Sequence, residues 1–199
     1  MSDKDFTKLL FPDLLVKRIE IMEITLCTAD RERIKFLAQT DKPLGDILPV
    51  LYLSIPNAKY SEKLGMVTYT HEGHLVTMFS SGRIGMTYVK DRQEAEQLIA
   101  EAKDLINRAF VYLKTHGKPD EKMFELKRQA SPMRIYERLP KTNCRECGEQ
   151  GCFAFATKLF NGEESLQDCS PLQLTKYAED KSHIGKMLQP IKLGTGVTA

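Results

Sequence analysis

The sequence predicts an α+β protein: a curved antiparallel sheet with a long helix across one face, followed by a small, mostly helical domain. Three observations predict it. Short alternating apolar and polar runs broken by glycine turns fill residues 16–89, one apolar stripe at helical spacing follows at 91–114, and four of the five cysteines fall within residues 144–169. The chain has 199 residues, 42% hydrophobic and 28% charged, enough for one ordinary domain and a small second one. The expected boundaries are a sheet domain at 1–116, a linker at 117–138 and a cysteine-bearing domain with a C-terminal helix at 139–199.

Composition narrows the setting. No apolar run approaches the eighteen or so residues of a membrane helix, and the N-terminus carries two early aspartates in place of a basic, cleavable leader, so a cytoplasmic protein is expected. A net charge of +2 is too small to draw in nucleic acid or a membrane surface by bulk electrostatics.

Taken in order, Lys8 to Leu15 reads as a short helical lead-in. Val16 to Thr28 alternates as a strand, and its apolar phase changes from Ile19 and Ile21 to Met22, Ile24 and Leu26, which predicts a bulge near Glu20. Ala29 to Arg31 turns the chain, and Ile34 to Thr40 returns as a strand; a helix over Asp30 to Gln39 is the alternative. Gly45 to Leu53 reads as a short helix with Pro49 in its first turn. Met66–His71, His74–Phe79 and Arg83–Val89 form a meander around Glu72-Gly73 and Ser81-Gly82. Asp91 then caps the long helix, with Glu94 three residues on, and Ala95, Leu98, Ile99, Ala102, Leu105, Ile106, Ala109 and Leu113 make its stripe. From Gly117 to Pro140 three prolines and an excess of basic side chains mark the linker, with one helical pattern at Asp120 to Gln129. The tail from Ile191 to Ala199 is expected to fray.

The chemistry lies in Leu139 to Leu172, where Cys144, Cys147, Cys152 and Cys169 form a Cys-x2-Cys-x4-Cys-x16-Cys array. Three thiolates on one short loop can hold three corners of a cubane, and Cys169, returning after an intervening helix, supplies the fourth, which completes a 4Fe-4S cluster. Phe153, Ala156, Leu159 and Phe160 mark that helix, and Asn161-Gly162 ends it. Gly148 and Gly151 leave room beside the ligands and let backbone N–H groups turn toward sulfur. Ser170, Pro171 and Gln173 predict a new helix at the last ligand. The competing reading is a structural zinc, whose four-thiolate sites usually pair two short Cys-x2–4-Cys knuckles. Cys27 reads as a buried small hydrophobe on a strand. His71 and His74 bracket a hairpin turn as exposed strand ends, and no further catalytic motif emerges.

The run LPKTNCRECGEQGCFAFATKL, followed by DCSPL, resembles the small iron–sulfur domain of the corrinoid iron–sulfur protein large subunit and of the corresponding gamma subunit of the acetyl-CoA decarbonylase/synthase complex. The resemblance implies a 4Fe-4S cluster on Cys144, Cys147, Cys152 and Cys169, and one-electron delivery to a corrinoid cobalt. The barrel that follows in that family is not among these 199 residues, so the cluster carries over and the corrinoid does not. Separately, PNAKYSEKLGMVTYTHEGHLVTMFSSGRIGMTYVKDRQEAEQLIAEA resembles a single repeat of the TATA-box-binding protein fold. Its would-be concave strands offer Thr68, Thr70, Glu72, Thr77 and Thr87 with few basic residues, which argues against DNA and for fold alone.

Two functions are therefore expected. The first is a one-electron module docking a redox protein, a corrinoid protein or another low-potential enzyme of anaerobic one-carbon metabolism. The second is a cluster-stapled binding or sensing protein that uses its sheet. A single saddle-type repeat leaves a sheet edge and face open, so a homodimer or a stable partner is also expected.

Overall fold

A computed structural model describes residues 16–27 and 30–193. The expected Lys8–Leu15 helix and Ala29, the first residue of the expected Ala29–Arg31 turn, lie outside the described residues. The chain divides into two units: residues to Tyr52 with Ala58–Pro119 in one, and Leu53–Asn57 with Asp120–Lys192 in the other.

The first unit is a six-stranded antiparallel sheet in the order β1-β2-β6-β5-β4-β3, with β1 Ile19–Leu26, β2 Ile34–Thr40, β3 Lys59–Ser61, β4 Met66–His71, β5 His74–Phe79 and β6 Arg83–Val89. From β2 the chain runs through a 3-10 turn, Gly45–Ile47, and helix α1, Leu48–Ser54, to the far edge, and then meanders back. Pro49 stands in the first turn of α1, where its missing N–H is harmless. Strand register aligns Ala38, Ile84, Met78 and Val67 in one row and Phe36, Met86, Val76 and Tyr69 in the next. All eight are buried. The long helix α2, Arg92–His116, buries Ala95, Leu98, Ala102, Ile106, Ala109 and Phe110, and Asp91 caps it by accepting the Glu94 N–H at 2.9 Å.

The meander and α2 follow the sequence reading. The bulge of β1 falls at Met22, where the register slips between Ile21 and Glu23, two residues later than expected. The extra residue keeps Ile24 opposite Phe36 and Leu26 opposite Ile34 on the side of Ile21, and Met22 is left outward. Asp30 to Gln39 is not a helix, because Ile34 to Gln39 pairs with both β1 and β6. Strand β3 was not expected; three residues are too few for a periodic signal. Cys27 is buried, whereas His74 is only 7% exposed and stands 3.8 Å from Glu94, so it is not the exposed strand end expected of it.

The second unit begins inside the expected linker. Residues 121–128 form α3, Glu121–Arg128, capped by Asp120, and α4, Pro132–Arg138, starts on Ser131 and a first-turn proline. Of the three prolines that punctuated the sequence as a linker, Pro132 is a helix start. Ile135 and Leu139 join Phe155, Ala156, Leu159, Cys169, Leu172, Ile184, Met187 and Leu188 in the core of this unit. Most of these come from α4, from α5, Cys152–Asn161, and from α6, Ala178–Leu188; Leu139 follows α4, and Cys169 and Leu172 lie between α5 and α6. The helix predicted at Ser170 is a four-residue 3-10 turn, Ser170–Gln173, with Cys169 at its cap position. Gln173 does not close a capping box; its amide donates to the Leu166 and Cys169 carbonyls, and Leu174 leaves in extended backbone. The tail stays packed as far as Ile191, which is buried, so the expected fraying starts too early at Ile191.

Leu53–Asn57 is a strap on this unit. Leu53 O accepts from Ile191 N–H, Ser54 O from the Gln189 amide, and Ile55 O and Pro56 O from Lys127 Nζ at 2.7 Å each; the Asn57 amide donates to Asn161 O. Lys127 Nζ also donates to Leu188 O. Burial pushes the Lys127 ammonium down to about 7 from its ordinary 10.5. In that window the unfolded chain holds a proton that the folded chain has released, so this group's contribution to stability rises with pH from about 7 to 10.5. Lys127→Met should remove that pH slope. It should also cost about 1–3 kcal/mol by leaving carbonyls without a donor, read by urea unfolding with amide exchange in α6.

Candidate iron–sulfur site

The ligand loop is built from left-handed backbone. Lys141, Asn143 and Arg145 have φ of 57°, 48° and 64°, and Gly148 has 83°. Asparagine and glycine adopt this region readily; lysine and arginine do so at a cost. The loop tightens at Arg145–Gly148, where Gly148 N–H donates to Arg145 O at 2.9 Å. Helix α5 starts at Cys152 itself, with Gly151 as its cap, and ends at Gly162 in the left-handed conformation, whose N–H bonds Leu159 O. That stop turns the chain so that Cys169 comes back to the loop.

All four predicted cysteines line one concavity, together with Asn143, Arg145, Glu149, Gly151, Phe155 and Pro171. Cys144 is exposed, Cys147 and Cys152 are half-buried and Cys169 is buried. They surround a space without closing on one point: among the described residues no three His, Cys, Asp or Glu side chains are grouped as a single metal ion would need. Burial pushes the Cys169 thiol up. The Leu172 N–H pulls the other way, and charge on Cys152, Cys147 and Cys144 adds to the rise, a mutual repulsion that a cationic centre between them would remove. Glu149, whose side chain is mostly covered, reaches from the loop to Lys158 on α5 at 2.6 Å, and this partner holds the Lys158 ammonium above its usual range.

Sequence reasoning missed two participants. Phe155, not Phe153, is the aromatic that lines the concavity; Phe153 is 48% exposed and meets Tyr136 edge-on at 5.6 Å. A stripe beginning at Phe153 and one beginning at Phe155 share Ala156 and Leu159, so periodicity could not choose between them. The second is Asn143. Its N–H points to Cys152 Sγ at 3.4 Å, and its Oδ1 accepts the Cys152 N–H at 2.9 Å. At Gly151 a Cβ would lie 3.1 Å from Asn143 Oδ1, a neighbour the sequence did not indicate, whereas Gly148 has open space and is needed for its backbone angle.

Residues 139–171 match the family model described as "Putative Fe-S cluster". This stretch contains all four cysteines. Curated relatives extend the likeness over the C-terminal part: the acetyl-CoA decarbonylase/synthase complex subunit gamma of Methanocaldococcus jannaschii is 41% identical over 63 residues, 32% of this chain and 13% of that protein. Subunit gamma 1 of Methanosarcina thermophila is 40% identical over 74 residues, 35% of this chain and 16% of that protein. The gamma subunit of Methanothermobacter thermautotrophicus is 40% identical over 62 residues, 31% and 13% of the two chains. The chain thus spans only a small fraction of the length of these relatives. No solved structure matches it.

Gly148→Ala should destabilise the second unit by about 1–2 kcal/mol, all of it backbone strain, and Gly148→Asn by less, since asparagine tolerates left-handed backbone. Denaturant midpoints of the three proteins check both.

Proposed function

We propose that Cys144, Cys147, Cys152 and Cys169 hold a 4Fe-4S cluster and that the protein is a one-electron module for a low-potential protein partner. The single observation that carries this reading is the convergence of four thiols from a loop and a returning chain on one concavity, within a stretch matching an iron–sulfur family. The donor set fits the group: soft thiolates, one face sealed by Phe155, and a backbone N–H already aimed at a ligand sulfur. A bound cluster supplies the redox chemistry, taking up and releasing one electron. The chain's own residues shape its surroundings. Cys144 and Arg145 stand exposed on the loop and offer the short path to solvent, while the buried Phe155 lines the concavity.

Because the named relatives are subunits of an acetyl-CoA decarbonylase/synthase complex, we take the partner to be a corrinoid protein or another enzyme of anaerobic one-carbon metabolism. Cytoplasmic placement goes with that reading; no helix of the described residues is long and apolar enough to cross a membrane. The first unit's open sheet face, with Leu37 and Leu75 exposed, is offered to a further subunit or a second copy of the chain.

Protein purified without air should carry about four iron and four sulfide per chain. Serine at any of the four ligands should abolish or degrade the cluster, and Cys27→Ser should not. Reduced protein mixed in a stopped-flow cell with a captured partner should be oxidised by it. Stoichiometric zinc without sulfide, or a reduced cluster inert toward every captured redox protein, would rule the reading out.

A further inference from the structure

We infer that Asn143 is a positioning residue that works through Cys152, its backbone setting the cluster's potential and its side chain setting the cluster's retention. The inference rests on the 4Fe-4S reading above and assigns two separable tasks to one residue.

The geometry carries the separation. The Asn143 N–H lies 3.4 Å from Cys152 Sγ, within range of a weak N–H···S bond. Such a bond favours the more negative sulfur, and reducing a cluster makes its sulfurs more negative, so the bond raises the potential. The residue that carries this N–H is left-handed, with φ of 48°. The side chain does something else. Its Oδ1 takes the Cys152 N–H at 2.9 Å, and Cys152 is the first residue of α5, one of whose unpaired N-terminal N–H groups is thereby satisfied at a helix start that has no cap side chain. Asn143 therefore ties the strand of loop before the first ligand to the residue that is both third ligand and helix start. Gly151 belongs to the same device: a methyl group there would press on Asn143 Oδ1.

Asparagine suits both tasks because it tolerates left-handed backbone and carries a neutral acceptor. Each substitution takes away a different part. Asn143→Gly keeps the backbone angle and the N–H···S bond but removes the acceptor. Asn143→Ala removes the acceptor and strains the backbone. Asn143→Asp keeps acceptor and angle and brings a negative charge beside the cluster.

The test uses the full-length, cluster-loaded chain, with reduction potential by film voltammetry and iron release to an added ferrous chelator as independent readouts. The potential should stay near wild type in Asn143→Gly and fall in Asn143→Ala and Asn143→Asp. Iron release should be faster than wild type in Asn143→Gly and Asn143→Ala and unchanged in Asn143→Asp. After exchange into D2O, deuteron coupling to the reduced cluster in pulsed EPR should persist in Asn143→Gly and weaken in Asn143→Ala. A loaded Asn143→Gly protein that releases iron at the wild-type rate, or whose potential falls as far as that of Asn143→Ala, overturns the inference and leaves the cluster reading standing. A wild-type chain that binds no iron and sulfide overturns both.

Discussion

Everything in the second unit depends on bringing Cys169 back to a loop that already holds three cysteines. Thiolates brought to one concavity repel one another, so the scaffold has to hold them together. The solution is a helix with a cysteine at its first residue. Helix α5 carries Cys152 at its start, buries Phe155, Ala156 and Leu159 in the core, and stops at Gly162, so the chain turns back within reach. The core that forms on it recruits α4, which leads directly into the cysteine loop, and α6, which lies well beyond it in sequence.

Much of this was legible because it is local. Alternation bounded by Glu72-Gly73 and Ser81-Gly82 placed three strands to the residue, and the Asp91 cap with the stripe behind it placed α2. Cysteine spacing found the four residues that line the concavity. What escaped was decided by contacts that form only in the folded chain. His74 is covered by Glu94's helix although it flanks a turn. The linker residues are helical because Ile135 and Leu139 have a core to enter, a fact no window around them contains. Gln173 could have capped a helix at Ser170 and was taken instead by the Leu166 and Cys169 carbonyls. Asn143 stood in the motif as a matched letter; its two bonds to Cys152 became visible only with the loop folded.

The two faces of the sheet differ in how much they explain. Two rows of apolar side chains and the stripe of α2 account for one face. The other presents Thr68 bonded to Thr77, with Leu37 and Leu75 exposed around them, a surface too dry for a solvated face and too polar for a core.

The strap at Leu53–Asn57 makes the second unit discontinuous along the chain, with strands β3 to β6 and α2 inserted between its two pieces. On the ribosome its carbonyls emerge 71 and 72 residues ahead of the lysine that will bind them, and further still ahead of Gln189 and Ile191. Those carbonyls stay hydrated through most of synthesis. The cysteine-bearing unit can complete itself only once residue 191 has left the exit tunnel, and all six strands and α2 are available well before then. Sequence similarity draws the borders of the iron–sulfur stretch at 139 and 171; the polypeptide that must be finished before it is fully built reaches from 53 to 191.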